Sequence, residues 1–212
     1  AFGFYLVLPA FLIRNSIKKR RKHKNLEKRE VAAWFDPPET PEGRSLTAGE
    51  VGILYDRKGD IRDITASIIQ LAQKGYLKIV EKSKKGLFKG TEYEFVKLKD
   101  FSNDSKLLPH EILVLDFLFS SENTISTKDI SKRTTNETKI NKIYKTIAKQ
   151  LTTNNFFEKS PYKVREMGTL IIFAGSMFLN PLLIIAGLLK RKSATRTKHG
   201  AQAYAVIKSL EN

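Results

Sequence analysis

The sequence predicts an α+β fold: two winged-helix-like units in a cytoplasmic region, flanked by transmembrane α-helical segments. Three observations lead there. Residues 168–189 (GTLIIFAGSMFLNPLLIIAGLL) carry no charged side chain, and Lys190, Arg191 and Lys192 follow at once. About 20 apolar residues are what a helix needs to cross the hydrocarbon core of a bilayer. Upstream of that run, helical periodicities alternate with short β-type runs joined by Gly and Lys. Finally, 38 Lys and Arg against 22 Asp and Glu give 212 residues a net charge of +16, which points to an anionic partner, either a phospholipid surface or nucleic acid.

The chain opens inside a second apolar run, residues 1–13 (AFGFYLVLPAFLI). It is short for a span and lacks the positive region that precedes a signal peptide's apolar core. It reads as the end of a truncated transmembrane helix; a buried core helix or an N-terminal strand is the other account. Arg14, Lys18, Lys19, Arg20, Arg21, Lys22 and Lys24 follow directly. Basic residues at a membrane exit mark the cytoplasmic side, so residues 14–166 are expected in the cytoplasm of a protein held at the cell membrane. Residues 14–45 are a basic juxtamembrane segment and a Pro-rich linker, where Pro37, Pro38 and Pro41 exclude a helix.

The first unit, residues 46–99, starts with a capping-box pattern, Thr47 to Glu50, and a short helix to about Tyr55. Arg57-Lys58-Gly59-Asp60 is a turn, and Asp60 caps a helix over residues 61–74 whose Ile61, Ile64, Ile68, Ile69, Leu71 and Ala72 share one broad face. Gly75 closes it as a C′ residue. Residues 76–80 and 91–98 read as two strands of a ribbon, with Gly86 and Gly90 between them.

The second unit, residues 106–166, repeats the plan loosely. It has a helix over 108–119 and a short one over 126–132. Glu137 to Leu151 is the clearest amphipathic helix, with Ile140, Ile143, Tyr144, Ile147, Ala148 and Leu151 as its stripe and Lys139, Lys142, Lys145 and Lys149 outside it. Phe156-Phe157 starts a short strand or turn. Residues 168–189 are a single span or a re-entrant hairpin turning at Asn180-Pro181; a buried soluble helix is the third account. The hairpin returns the basic tail, residues 190–212 with a short helix over 201–210, to the positive-inside side.

Certain residues carry a resemblance. Pro37-Pro38, the run Leu46-Thr47-Ala48-Gly49-Glu50-Val51-Gly52-Ile53-Leu54, and the block from Arg62-Asp63-Ile64-Thr65-Ala66 to Gly75-Tyr76-Leu77-Lys78-Ile79 resemble the signature of the YciQ-like predicted membrane proteins. That bacterial and archaeal family has no established activity. Arg196-Thr197 and Gly200 resemble its post-membrane motif. The resemblance implies an extracytoplasmic domain ahead of Ala1 and a cytoplasmic region between membrane segments. It supplies no functional residues.

The chemistry-bearing residues point away from catalysis. There is no cysteine, and His23, His110 and His199 lie far apart without ligand-spaced partners, so neither a metal nor a cofactor is expected. The glycines match no phosphate-loop or dinucleotide spacing, nothing marks a nucleophile elbow, and an enzyme is not expected. Arg62 and Asp63 read as helix-start residues. The candidate contacts are to anionic lipid or nucleic acid: Lys18, Lys19, Arg20, Arg21 and Lys22 beside the membrane, Lys84, Lys85 and Lys89 at the ribbon tip, and Lys139, Lys142 and Lys145 on the amphipathic helix. The function that follows is docking at the inner membrane surface, with a protein partner or self-association possible. The alternative is a membrane-tethered DNA-binding regulator.

Overall fold

A computed structural model describes residues 3–27, 38–83, 91–120, 122–133 and 137–210. Nine α-helices and three strands occupy the described residues: α1 Leu8–Glu27, preceded by a π-helical turn Gly3–Val7, α2 Ala48–Asp56, α3 Ile61–Gln73, β1 Leu77–Ser83, β2 Thr91–Lys97, α4 Pro109–Phe119, β3 Thr124–Ser126, α5 Thr127–Arg133, α6 Glu137–Thr153, α7 Pro161–Met177, α8 Pro181–Arg191 and α9 Lys198–Ser209. The fold is α+β, as expected. It divides into two compact units: unit 1 is Ala1–Leu46, Leu54–Lys58 and Ala148–Asn212, and unit 2 is Thr47–Ile53 and Gly59–Ile147.

Unit 2 is built on caps that are legible in the sequence. The Thr47 amide donates to Glu50 Oε2 at 2.9 Å, and the Glu50 amide donates to Thr47 Oγ1 at 3.4 Å, closing the capping box of α2. Asp60 and Asp63 form a second box at α3, where the Asp60 amide donates to Asp63 Oδ2 at 2.8 Å. Helix α3 ends in a Schellman motif: Gly75 sits at φ +75°, and the Tyr76 amide donates to the Leu71 carbonyl at 3.0 Å.

The signature block is a packing device. A Cβ on Gly52 would lie 1.9 Å from Asp63 Oδ1, and one on Gly49 would lie 2.8 Å from Ser67 Oγ. The N-terminal turns of α2 therefore lie against α3 with no room for a side chain. Ile64, Ile68, Leu71, Leu77, Val114, Leu115, Leu118, Ile125, Ile140 and Ile143 are buried.

The ribbon gains a third strand. Sheet order is β1-β2-β3, antiparallel throughout, with Phe95 opposite Ile79 on one side and Ile125 on the other. Segments 46–99 and 106–166 thus contribute to one sheet, with no second ribbon among the described residues. At three residues, β3 is too short to show a period in sequence. The tips carrying Lys84, Lys85 and Lys89, and the linker residues Trp34, Phe35 and Pro37, lie outside the described residues.

Unit 1 chooses between the accounts of the apolar run, and the chain turns at Asn180-Pro181 as one of them expected. The apolar run 168–189 is not one helix. It is a hairpin, α7 then α8, and among the described residues no helix is long and apolar enough to cross a membrane. Pro181 has no amide hydrogen with which to continue α7, and Asn180 Oδ1 instead accepts the Leu183 amide at 3.1 Å to start α8. The arms touch backbone to backbone: a Cβ on Gly168 would lie 2.7 Å from the Arg191 amide nitrogen, and one on Gly187 2.7 Å from the Gly168 carbonyl oxygen. Small residues permit this approach. From the turn Gly3–Val7 the N-terminal helix continues without a break through the basic residues to Glu27, and α1 packs on α8 and α9.

The tail folds back. Phe157 and Arg196 form an antiparallel bridge, and the Glu158 amide donates to the Thr195 carbonyl at 3.1 Å. A single span over 168–189 would place residues 158 and 195 on opposite faces of a bilayer, so this contact excludes it. Arg196 is 2% exposed. Its Nε donates to the Leu54 carbonyl at 2.9 Å, its Nη2 donates to the carbonyls of Leu54 and Tyr55, and its guanidinium lies 3.9 Å from the centre of the Tyr204 ring. It satisfies the last carbonyls of α2, which have no partner within the helix. Burial pushes its pKa down to about 10. A Cβ on Gly200 would lie 1.9 Å from the Phe156 carbonyl oxygen, and Thr197 caps α9. The Arg196-Thr197 and Gly200 motif is a structural clasp.

Two outcomes follow. Arg196→Lys loses the fork that reaches two carbonyls and lowers stability by about 2–4 kcal/mol in urea denaturation. In unit 2, the Tyr76 hydroxyl donates to Asp104 at 2.6 Å, and this bond, then burial, raises the phenol to about 12. Its contribution is complete below the unfolded value of about 10 and is lost as pH rises from there through about 12. Denaturation midpoints measured across that window fall for the native chain, and fall less for Tyr76→Phe.

Candidate lipid-facing tip and cationic groove

Within unit 1, α1, α7 and α8 place their apolar ends together. Helix α1 packs on α8, and α8 on α7. The Tyr5 hydroxyl donates to the Phe178 carbonyl at 3.0 Å, which sets the start of the N-terminal helix beside the hairpin's turn. Large apolar side chains along these helices and at the turn face outward. Leu179 is 86% exposed, Met177 70%, Phe173 68%, Leu170 67% and Phe11 63%. Large exposed apolar patches are uncommon on monomeric soluble proteins, and where they occur they mark contacts with lipid or protein.

The turn itself is a Schellman motif: the Asn180 amide donates to the Gly175 carbonyl at 2.8 Å and the Leu179 amide to the Ser176 carbonyl at 3.2 Å. Its left-handed C′ position is occupied by Leu179 at φ +48°, where glycine is the usual residue. A branched side chain there costs about 1–2 kcal/mol. The most exposed large apolar side chain described thus sits at a strained position. The backbone groups of the turn are paired internally, as a low-dielectric surrounding requires.

At the foot of the same helices lies a cationic groove of about 520 Å³. Helix α1 contributes Ile17, Arg20, Arg21 and Lys24; Arg57, Arg165, Arg191 and Lys192 complete its basic lining, and Asp56 is its one carboxylate. Arg57 Nη1 donates to the Ala194 carbonyl at 3.3 Å. Burial lowers the pKa of Arg57 and, although Tyr204 acts in the opposite sense, the charge of Arg20 adds to the drop. Burial, then the charges of Lys19 and Lys159, lower Lys190. Beside the groove, Lys22 pairs with Glu158 at 3.0 Å. Burial alone would raise that carboxyl, but hydrogen bonds from Lys22 and Thr195 and the charges of Lys22 and Lys19 outweigh it and hold the pKa below its usual value.

Of the residues singled out in sequence, Arg20 and Arg21 join the groove, Lys18 is exposed on α1, Lys19 is half-buried, and Lys22 is engaged with Glu158. Lys139, Lys142 and Lys145 are exposed along α6. Sequence reasoning missed Arg57 and Arg165 as site residues, because neither lies in a charge run. His110 is fully buried, with Nε2 3.0 Å from Thr47 Oγ1, which also donates to Glu50 at 3.0 Å. This is a sealed core network. Among the described residues no three His, Asp or Glu side chains stand together to hold a metal ion.

A family model described as "Predicted membrane protein (DUF2207) C-terminal domain" matches residues 30–179. The chain belongs to this DUF2207 family. Membership groups it with predicted membrane proteins. The DUF2207 match takes in the signature block and α7 and ends at the turn residue Leu179. No curated protein and no solved structure matches the chain.

Leu179→Gly relieves the left-handed strain of about 1–2 kcal/mol but adds unfolded-chain freedom of about 0.4–1 kcal/mol. The net expectation is a chain in detergent that is about 0.5–1 kcal/mol more stable, read from its thermal midpoint.

Proposed function

We propose that this is a membrane-anchored docking protein. Its hairpin and the N-terminal helix enter one leaflet, and its basic cytoplasmic region, residues 14–166, rests on the inner, anionic surface as an interaction module for a protein partner or a second copy. The observation that carries this reading is the exposed apolar tip with basic side chains at its foot. The arm from Gly168 to Phe178 rises about 15 Å at 1.5 Å per residue, half of a hydrocarbon core about 30 Å thick. That depth suits a re-entrant anchor rather than a span.

Magnitudes rank the forces. Burying Leu170, Phe173, Met177 and Leu179 contributes about 1.5–3 kcal/mol each. Each basic residue near headgroups adds about 1 kcal/mol, screened by salt. The apolar term dominates and the charges orient the chain. The YciQ-like assignment belongs with this reading, as does a winged-helix-like role for α2–α3 with the β1–β2 ribbon. The chain is read as non-enzymatic, without cofactor.

A second reading, a membrane-tethered DNA binder, is favoured by one feature, the exposed lysines of α6. These suit phosphate contact more than base reading.

The test uses the whole chain and vesicles of phosphatidylcholine with and without phosphatidylglycerol. Phe173→Asp with Leu179→Asp, both exposed and hence neutral for folding, should weaken flotation with vesicles at least tenfold, and added salt should weaken the native chain far less. Unchanged flotation of the double variant would refute the anchor. Retardation of duplex DNA that is lost on charge reversal of Lys139, Lys142 and Lys145 would favour the second reading.

A further inference from the structure

We propose that the groove walled by Arg20 and Arg21 of α1 and by Arg57, Arg165 and Arg191 is a binding site for an anion carrying two or more phosphate groups. Charge is the first argument. Seven cationic side chains and one carboxylate line the groove, so a lone phosphodiester would leave most of the positive charge unmatched. Arginine also supplies five of the seven, and its planar fork pairs with phosphate oxygens two at a time. Size is the second. A volume of about 520 Å³ falls within the range of small-ligand pockets, roughly 300–1,000 Å³.

The third argument is backbone strain, independent of charge. Arg57 follows α2 at φ +61°, a left-handed position that suits glycine. The chain holds an arginine there and turns its side chain into the groove, against the Ala194 carbonyl. Strained residues of this kind gather where a side chain is needed in place. Burial lowers the basicity of Arg57, with the charge of Arg20 adding to it, and a bound anion would favour the charged form.

Position suggests where the phosphates come from. Arg165 lies three residues before Gly168, and Arg191 two after Leu189, so along their helices both lie about 3–5 Å from the apolar segment. With the tip in a leaflet, the groove stands at headgroup depth, and a lipid with two phosphodiesters fits it. A soluble diphosphate offers the same chemistry. The inference deepens the membrane reading, and rests on it only for the lipid source.

The experiment uses the full chain in uncharged detergent micelles. Inorganic pyrophosphate is compared with orthophosphate, and micelles doped with diphosphatidylglycerol with those doped with phosphatidylglycerol at equal phosphate. A two-phosphate probe should bind at one site at least tenfold tighter than its one-phosphate counterpart and raise the thermal midpoint. Arg57→Gly, which suits the left-handed backbone and should keep the midpoint, and Arg191→Gln with Lys192→Gln should each weaken binding at least tenfold. Lys139→Gln with Lys142→Gln, removing equal charge elsewhere, should leave it within twofold. Binding of the lipid alone, or of pyrophosphate alone, supports the site and assigns the source. Equal loss in groove and control variants, or no preference for two phosphates over one, overturns it. Failure of vesicle flotation alongside intact pyrophosphate binding counts against the membrane reading only.

Discussion

The turn at Leu179, Asn180 and Pro181 governs what the most apolar part of this chain can do. Proline cannot extend α7, the asparagine carboxamide starts α8, and three glycines let the arms close until their backbones touch. With the hairpin closed, the tail must return, and the bridge between Phe157 and Arg196 and the capping of α2 by Arg196 become available. A helix running straight through residues 168–189 would have none of these contacts. The tip, the groove and the clasp are all consequences of one reversal of direction.

Of the four non-glycine residues with positive φ among the described residues, Arg57, Ser120, Asn155 and Leu179, two carry long side chains. Leu179 lies at the apolar end of unit 1 and Arg57 in the cationic groove at the other. Each keeps a large side chain where the local backbone disfavours one, at about 1–2 kcal/mol. Leu179 is almost fully solvent-exposed, and Arg57 donates to the Ala194 carbonyl at 3.3 Å beside the groove. Under the two proposals, hydrocarbon would be the partner of one and phosphate of the other.

The signature block, by contrast, is spent on the fold. Gly49 and Gly52 clear space for Ser67 and Asp63, Thr47 and Glu50 cap one helix, Asp60 and Asp63 cap the next, and Gly75 ends it. A motif can be specific because a close helix contact tolerates few residues, without any of them doing chemistry.

The sequence by itself determined the caps, the amphipathic stripe of α6, the ribbon strands, the α+β class and the concentration of charge beside apolar runs. Each of these depends on neighbours within about one helical turn or one strand alternation, which a linear pattern records. Tertiary structure alone decided that 168–189 is a hairpin, that a three-residue strand from one segment completes the sheet of another, and that Arg57 and Arg165 join Arg20 and Arg21 in one groove. Those outcomes depend on contacts between residues far apart in the chain. Asn180-Pro181 permits a turn, but only the close packing of Gly168 on Gly187 and the return of Arg196 to Leu54 make it the lower-energy path.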